Sequence, residues 1–309
     1  MTVAERGNNL VDANEEKNCA GYGIVSEDSA ILANGLVKRF GDFTAVDRLD
    51  LNVRKGEIYG FLGPNGAGKT TTVRMLTTME LPDEGTIFID GHPTKTDYIS
   101  ARRHIGVIQQ QHSLEKDISV KENIVHHGLM QNLSRRQIAE RMDELCTIME
   151  LNDRLDTLIA NLSGGWKKRV AIVCSLIHEP DILFMDEPTT GLDTQSRNIL
   201  WKMIRAINAK GTTIFLTTHY IFEAENLCDR VGIIAKGKLI AEGTPEELKS
   251  TMGPVALVSS DSDGNEHVQY FQTRAEAREA SGQIHESHDT MIRSTNLEDV
   301  FLKLTGGSF

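Results

Sequence analysis

The sequence predicts a mixed α/β fold with a mostly parallel central sheet. A strand-like segment at residues 57–62 leads through a glycine-rich loop into a helix-like segment at 70–76. The continuous apolar run at residues 182–185 is typical of a central parallel strand that is buried on both faces. Downstream of that run, strand patterns and helix patterns alternate as far as residue 253, as expected when helices cover such a sheet.

The other elements predict an antiparallel β subdomain, a helical insert and a small C-terminal α+β appendage. Residues 1–29 are polar and lack a hydrophobic period, which predicts a disordered lead-in. Within a main domain at 30–253, strands are expected at 31–40, 45–53 and 86–90. Amphipathic helices at 120–130 and 135–149 belong to an insert at about 111–165. In the element at 254–309, segment 255–260 is expected to pair with 266–272, and Asn296 caps a last helix.

Composition excludes several classes of protein. The net charge of −11 disfavours binding to nucleic acid or to an anionic membrane surface by bulk electrostatics. No apolar run approaches the ~18–20 residues that span a bilayer, so a membrane role is expected to come through a partner subunit. The four cysteines are scattered without CxxC spacing, which indicates reduced thiols and not disulfides or zinc. We expect no secretory signal, because the N-terminus lacks a charged segment followed by an apolar one.

The glycine-rich loop has the composition of a phosphate-binding site. Residues 63–70, Gly-Pro-Asn-Gly-Ala-Gly-Lys-Thr, match the pattern G-x-x-x-x-G-K-[ST] of P-loop NTPases. Glycine adopts positive φ at little cost, and the backbone N–H groups at a helix start favour an anion. We expect Lys69 to contact the β- and γ-phosphates and the Thr70 hydroxyl to bind Mg²⁺. The alternative, a turn that binds nothing, does not explain Lys69 and Thr70 at these positions.

Two acids and a histidine follow predicted strands of the sheet. Asp186 suits a second Mg²⁺ contact through water, and Glu187 suits a base that polarises the attacking water. His219, at the end of the next strand, is placed to hydrogen-bond the γ-phosphate and orient the water. Without the phosphate loop upstream, a solvated strand end and a structural histidine would be the simpler interpretations.

Three further positions have two interpretations each. Gln110 follows a short apolar strand and is expected to reach both metal and water, but Gln109 and Gln111 remain alternatives because the register is open. Phe40 either stacks on an adenine ring or belongs to the core. Ser163-Gly164-Gly165 either presents a hydroxyl and N–H groups to an anion or simply caps a helix.

Taken in this order, the motifs resemble those of the ATP-binding subunit of an ABC transporter, over about residues 30–253. The resemblance makes 63–70 the Walker A loop, 182–186 the Walker B strand, 162–165 the signature and 191–193 the D-loop, with Asp193 as its acid. It implies that ATP is contacted by Phe40, Gly63, Pro64, Asn65, Gly66, Ala67, Gly68, Lys69, Thr70 and Thr71.

The resemblance also implies how these residues work. The catalytic residues it implies are Glu187, His219, Gln110 and Lys69. The Mg²⁺ ligands it implies are Thr70, Gln110 and Asp186. Two copies are expected to close head to tail around two ATP molecules, so that each nucleotide is capped by the other copy's Ser163, Gly164, Gly165 and Trp166.

Residues 296–306 resemble the C-terminal end of the drug-exporter branch, the daunorubicin-resistance type, to which the nodulation-factor exporters are close. This implies ATP hydrolysis at the cytoplasmic face of the cell (inner) membrane, driving export of a drug-like or other amphipathic small molecule through a separate permease. Trp166 departs from the family, which usually has Gln or Met there, so nucleotide affinity or dimer closure is expected to differ.

Two other functions are weaker candidates. A soluble ABC-type ATPase acting on ribosomes or DNA usually carries two cassettes or a long coiled-coil insert, and its nucleic-acid partner does not suit this charge. A regulatory module that has lost catalysis would not be expected to keep Lys69, Asp186, Glu187 and His219.

Overall fold

The structure, a computed structural model, describes residues 28–109, 114–260, 266–283 and 289–306. The expected lead-in at 1–29 lies outside the described residues except at its end. There the expectation is wrong by one residue, because Ser29 already begins the first strand. Its hydroxyl donates a 2.9 Å hydrogen bond to Asn52 Oδ1 on the neighbouring strand.

The elements alternate between strands and helices through most of the chain. The strands are β1 (Ser29–Phe40), β2 (Phe43–Arg54), β3 (Ile58–Leu62), β4 (Glu84–Ile89), β5 (His92–Pro93), β6 (Ile105–Ile108), β7 (Ile182–Asp186), β8 (Thr213–Thr218), β9 (Arg230–Ala235), β10 (Lys238–Gly243), β11 (Val255–Ser260), β12 (Glu266–Phe271) and β13 (Asp289–Ser294). The helices are α1 (Lys69–Leu76), α2 (Tyr98–Arg103), α3 (Val120–Met130), α4 (Arg135–Ile148), α5 (Gly164–Leu176), α6 (Thr194–Asn208), α7 (Ile221–Leu227), α8 (Pro245–Ser250), α9 (Arg274–Gly282) and α10 (Leu297–Thr305). Short 3₁₀ turns lie at Asn152–Arg154 and Ile159–Asn161.

The central sheet is mostly parallel, as predicted. Its strand order is β10-β9-β3-β8-β7-β6, and only β10 runs antiparallel to its neighbour. β3 is buried along its whole length, and β7 is buried up to its last residue, Asp186. Both faces of these strands are therefore covered, which explains why their sequences are continuous apolar runs.

A second sheet is antiparallel, with strand order β2-β1-β4-β5. Strand β4 begins at Glu84, two residues before the strand expected at 86–90, and ends at Ile89. The sequence did not predict β5 or α2, which are two and six residues long and leave almost no periodic pattern.

The helical segment between β6 and β7 begins its helices with side-chain caps. Ser119 and Glu122 form a capping box at the start of α3, and Ser134 and Gln137 form one at the start of α4. These boxes satisfy N–H groups that have no partner inside the helix. Both helices then bury apolar residues against α5, so this segment shares the core of the parallel sheet.

The C-terminal element is a three-stranded antiparallel sheet with β11 in the centre, followed by α10. The predicted pairing of the segment at 255–260 with the next strand is confirmed, whereas β13 was not predicted. Asn296 caps helix α10, as predicted. Its residues Leu297, Val300 and Phe301 join the core of the main domain, so α10 fastens this sheet to that domain.

Asp299 is the buried charge that holds α10 to the C-terminal sheet. Its carboxylate accepts hydrogen bonds from Arg293 at 2.6 and 2.7 Å, from the Asn296 backbone N–H at 2.9 Å and from the Tyr270 hydroxyl at 3.3 Å. Burial opposes ionisation, but the bonds from Arg293 and Asn296 outweigh it and hold the pKa of Asp299 below its ordinary value.

Replacing Asp299 by Asn is expected to lower the free energy of unfolding by about 1–3 kcal/mol at pH 7, because a charged acceptor is lost. The folded pKa lies below the unfolded value of about 3.9, so this stabilisation is present above pH 4 and disappears as acid protonates the folded carboxyl. Urea denaturation across pH 3–7 measures it. Glu298→Gln, at an exposed neighbour, is the control. Equal pH dependence in both variants would contradict this account.

Candidate functional site

The site lies where three neighbouring parallel strands end. β3 pairs with β8, and β8 pairs with β7. In register, Leu62 lies opposite Thr218, and Asp186 lies opposite Thr217. Because the three strands end at one level, the segments that follow them meet at the carboxyl edge of the sheet, where ligands bind in open α/β folds.

The loop at 63–68 requires glycine for two different reasons. Gly66 and Gly68 have φ values of +78° and +106°, which L side chains rarely adopt. A Cβ atom on Gly68 would also lie 2.5 Å from the Ala45 carbonyl oxygen, and one on Gly63 would lie 2.5 Å from that of Ile234. The loop is therefore pressed against β2 and β9, and its backbone path is fixed before any ligand arrives.

Lys69 places a buried positive charge inside this loop. The side chain is 5% exposed, and its Nζ donates to the carbonyls of Gly63 at 2.9 Å and Pro64 at 3.1 Å. Nζ also lies 3.7 Å from Glu187 Oε1. Burial lowers the pKa of Lys69, while Glu187 and Asp186 oppose that shift. The loop thus presents a desolvated ammonium group, whose attraction for an anion is stronger than it would be in water.

Asp186 and Thr70 bring oxygen atoms together at the start of α1. Thr70 Oγ1 lies 3.4 Å from Asp186 Oδ2, and the Thr217 hydroxyl donates to the other carboxylate oxygen. Hydroxyl and carboxylate oxygens are the ligands that Mg²⁺ prefers. The predicted metal ligands Thr70 and Asp186 are therefore adjacent and chemically suited to that ion.

The backbone of Glu187 adopts an unusual conformation. Its φ is +48°, which is uncommon for a residue other than glycine. Its N–H donates to the carbonyl and hydroxyl oxygens of Thr217 at 3.2 and 3.0 Å. Its carboxylate accepts from Thr190 Oγ1 at 3.2 Å and lies 3.1 Å from His219 Nδ1. Such strain occurs where surrounding structure aims a functional side chain, and here it aims Glu187 at His219 and Lys69.

The start of α5 lies apart from this cluster. Ser163 precedes the helix and is exposed, and its hydroxyl makes no capping hydrogen bond. A cavity of about 110 Å³ lies between α5 and α6 and is lined by Ser163, Gly165, Trp166, Lys168, Arg169, Leu192, Ser196, Leu200 and Met203. Residues 63–70 do not line it, so one copy of the chain does not bring both glycine-rich segments to this cavity.

Trp166 lies between two guanidinium groups. The Cζ atoms of Arg154 and Arg169 are 4.2 and 4.3 Å from its ring centroid. Arg169 also donates to the Met149 carbonyl at 3.0 Å and to Glu150 at 2.8 Å. Cation–π contacts of this kind contribute ~0.5–2 kcal/mol each. They fix the first turn of α5 on the helical segment without using the Ser163 hydroxyl.

Asp193 and Phe40 each make local contacts that are unrelated to the roles predicted for them. Asp193 caps α6 by accepting from the Ser196 N–H at 2.8 Å and the Ser196 hydroxyl at 2.7 Å. Phe40 is half exposed at the tip of the β1–β2 hairpin, with Lys38 Nζ 5.6 Å from its ring centroid. It does not belong to the core, which removes one of its two interpretations. Adenine stacking by Phe40 and the D-loop role of Asp193 stay predictions.

Gln110, the predicted metal-contacting glutamine, lies outside the described residues, as does its alternative Gln111. Gln109 is described. It is exposed and donates to Met79 Sδ at 3.2 Å. The choice among the three glutamines stays a prediction.

The sequence did not single out several residues that the structure brings to this region. Thr217 contacts both Asp186 and Glu187, and Thr190 contacts Glu187. Lys168 and Glu223 are buried behind them, at 5% and 1% exposure. The signal that could have revealed Glu223 is a charged residue on the apolar face of a helix, because Glu223 lies next to Ala224 and one turn before Leu227.

Comparisons with known families agree with this geometry. The family model described as ABC transporter matches residues 46–190. The model described as the C-terminal domain of the nodulation factor export protein NodI matches residues 259–306. A daunorubicin/doxorubicin resistance ATP-binding protein DrrA from Streptomyces peucetius is 43% identical, with 87% of this chain and 81% of that protein covered. A Nod factor export ATP-binding protein I from Cupriavidus metallidurans is 40% identical, with 87% and 95% covered.

Solved structures share the fold. An ATP-binding subunit of an ABC transporter superimposes with a TM-score of 0.66 at 28% identity, covering 72% of this chain and 93% of that one. A dimeric ATP-binding cassette in a post-hydrolysis state with ADP and Pi gives a TM-score of 0.63 at 26% identity, covering 69% and 98%.

Replacing Gly68 by Ala is expected to weaken ATP binding at least about tenfold, because the added Cβ meets a carbonyl and the positive φ costs about 1–3 kcal/mol. Isothermal titration with a non-hydrolysable ATP analogue measures this. Gly282→Ala is the matched control, since a Cβ there meets open space. Parent-like affinity in Gly68→Ala would show that the loop backbone does not set binding.

Proposed function

Because this chain belongs to the ABC transporter family as an ATP-binding subunit, we propose that residues 63–70, Asp186, Glu187 and His219 form its site of ATP hydrolysis. The observation that carries the proposal is the meeting of Lys69, Glu187 and His219, with 3.7 and 3.1 Å between their charged or polar atoms. A buried cation, an aimed carboxylate and a strand-end histidine at one sheet edge suit hydrolysis of a phosphoanhydride.

The loop binds the triphosphate in this proposal. Its backbone N–H groups and the start of α1 surround the phosphates, and Lys69 approaches the β- and γ-phosphates. Thr70 and Asp186 would hold Mg²⁺, which would neutralise charge on the phosphates. Gln110 is the proposed third metal contact, on sequence grounds alone.

Glu187 and His219 act on the attacking water. Glu187 accepts a hydrogen bond from the water and polarises it, while His219 orients water and γ-phosphate. Lys69 stabilises the charge that develops as the γ-phosphoryl group leaves. The positive φ of Glu187 and its contact with Thr190 fix the carboxylate before substrate binds, so little reorganisation accompanies the reaction.

A second copy of the chain completes the site. Ser163, Gly164, Gly165 and Trp166 of one copy cap the nucleotide held by Lys69 of the other, head to tail, and Asp193 lies at the same junction. The Ser163 hydroxyl, which does not cap its own helix, supports this arrangement, as does the dimeric state of the solved cassette with ADP and Pi. The cycle of closure and reopening then follows the state of the γ-phosphate.

The proposed transport role is export through a separate permease at the cytoplasmic face of the cell (inner) membrane. The relatives whose names refer to daunorubicin resistance and Nod factor export support it, as does the match of residues 259–306 to the NodI C-terminal domain. Among the described residues, every helix is too short or too polar to cross a bilayer. The proposed cargo is a drug-like or other amphipathic small molecule. We further propose a main domain at 29–253 and an appended element at 254–309.

Glu187→Gln is expected to lower steady-state ATP turnover about 10²–10⁴-fold while keeping ATP affinity, because the amide cannot accept a proton. It is also expected to trap an ATP-bound dimer. A phosphate-release assay and size-exclusion chromatography with ATP and Mg²⁺ measure the two effects.

Glu140→Gln is the matched control, since Glu140 is an exposed partner of Arg136 on α4. It should turn over ATP as the parent does. Unchanged turnover in Glu187→Gln would refute the role of Glu187.

The tagged chain, isolated from detergent-solubilised membranes, is expected to co-purify with an integral membrane protein. When the two proteins are reconstituted in vesicles, ATP should drive transport of the substrate away from the cytoplasmic side of the membrane. Recovery with ribosomes or DNA instead would favour the other class of ABC ATPase.

A further inference from the structure

Glu223 is a carboxylate buried beneath the proposed hydrolytic site. It lies on α7 and is 1% exposed. Its Oε1 accepts from Trp201 Nε1 at 3.0 Å, and its Oε2 accepts from Thr189 Oγ1 at 3.2 Å. The Thr218 hydroxyl also favours the charged form of this carboxylate, and so holds its pKa down. One carboxylate thus has two hydrogen-bond donors and a third polar neighbour.

These three residues belong to three different segments of the site. Thr189 follows Glu187 by two residues, and Thr218 immediately precedes His219. Trp201 lies on α6, the helix that Asp193 caps. One carboxylate therefore ties together the loop that carries Glu187, the strand end that carries His219 and the helix that follows the D-loop.

Two cations lie around this carboxylate. Lys168 on α5 is 5% exposed and is attracted first to Glu223 and then to Asp186 and Glu187. Arg197 on α6 also stabilises the charge of Glu223.

The burial of Glu223 has a cost that its surroundings only partly offset. Burial raises the pKa of Glu223, and the bonds from Thr218, Trp201 and Thr189 and the charge of Arg197 oppose that shift. A buried charge stabilises a fold less than apolar residues of the same volume would. The buried carboxylate of Glu223 is therefore better explained by the positions that it fixes than by a contribution to the stability of the fold.

We propose that Glu223 is a positioning residue for ATP hydrolysis. Its bond from Thr189 anchors the loop after Glu187 to α7, the helix that begins two residues after His219. This inference rests on the proposed function of the site. Glu187 Oε1 and His219 Nδ1 are 3.1 Å apart, and the Thr189–Glu223 bond joins the segment that follows Glu187 to the helix that follows His219. A displacement of ~1 Å in such a pair can cost about 10²-fold in rate.

Glu223→Gln tests the anchor, because the amide keeps the volume and places a donor where two acceptor oxygens were. In the full-length chain, alone and reconstituted with its co-purified membrane protein, kcat for ATP should fall about 10–100-fold. KM for ATP should stay within about threefold, because Lys69 and residues 63–68 do not contact Glu223. Glu225→Gln is the matched control. It lies on the same helix and pairs with Lys249 at 2.8 Å, away from the site, so its turnover should equal that of the parent.

Thr189 supplies a second test that leaves the buried charge in place. Thr189→Val removes the hydroxyl at nearly constant volume and should lower kcat, whereas Thr189→Ser keeps the hydroxyl and should restore it. A merely structural role would make the serine variant the more damaging one, since it creates a small void. Equal turnover in the valine variant and the parent would overturn the proposal, even if Glu223→Gln fails to fold.

Trp201 provides a spectroscopic reading of the same bond. The chain has two tryptophans, so in a Trp166→Phe background Trp201 is the remaining emitter. Adding Glu223→Gln to that background should shift its emission, and Glu225→Gln should not. A shifted emission with kcat equal to that of the Trp166→Phe background would refute the positioning role. Absence of ATP turnover in the parent itself would instead refute the proposed function, which keeps the two failures distinct.

Discussion

The burial of the Lys69 ammonium is the constraint on which the rest of the site depends. A cation at 5% exposure loses much of its hydration, and burial accordingly lowers its pKa. At an effective dielectric constant of about 20, two opposite charges 4 Å apart attract by about 4 kcal/mol as an upper bound. Glu187 at 3.7 Å and the carbonyls of Gly63 and Pro64 therefore retain the charge together. Because two of these partners belong to the loop itself, the lysine and the loop backbone fix each other.

The parallel sheet supplies the second constraint, which is a common level for three strand ends. Strands β7, β8 and β3 are neighbours in space although they are far apart in the chain. Antiparallel neighbours would send consecutive strand ends to opposite edges. Parallel pairing instead places Asp186, Glu187 and His219 beside the loop that holds Lys69. Hydrogen bonds of Thr217, at the end of β8, and of Glu223, on α7, then fix the distances between these segments.

Local pattern was sufficient to predict the fold and much of the chain's organisation. The apolar run of β7, the glycine spacing at 63–68 and the cap at Asn296 are local signals, and the elements they predicted are present. The elements that the sequence did not reveal are short, like α2, or are defined by pairing alone, like β13.

The partners of Glu223 could not be predicted for a different physical reason. Its hydrogen bonds join residues 22 and 34 positions apart, and no periodicity within α7 reports them. The same holds for the guanidinium groups around Trp166, since Arg154 lies in a 3₁₀ turn twelve residues upstream. Local patterns indicate which groups are charged, but only the tertiary arrangement shows which buried charges share a neighbour.

The start of α5 is held in place but keeps hydrogen-bonding groups available for a ligand. Helices α3, α4, α8 and α10 all begin with capping boxes, whereas the hydroxyl of Ser163 makes no capping bond. A side-chain cap contributes ~0.5–2 kcal/mol, so α5 gives up stability at its first turn. The contacts of the Trp166 ring with Arg154 and Arg169 offset part of that loss. These contacts are made by side chains, so they do not use the N–H groups of the first turn. A helix start that is held in place yet keeps its donors is suited to bind an anion brought by another molecule. In the proposed dimer that anion is the triphosphate in the other copy's loop, and each copy then supplies the groups that the other's site lacks.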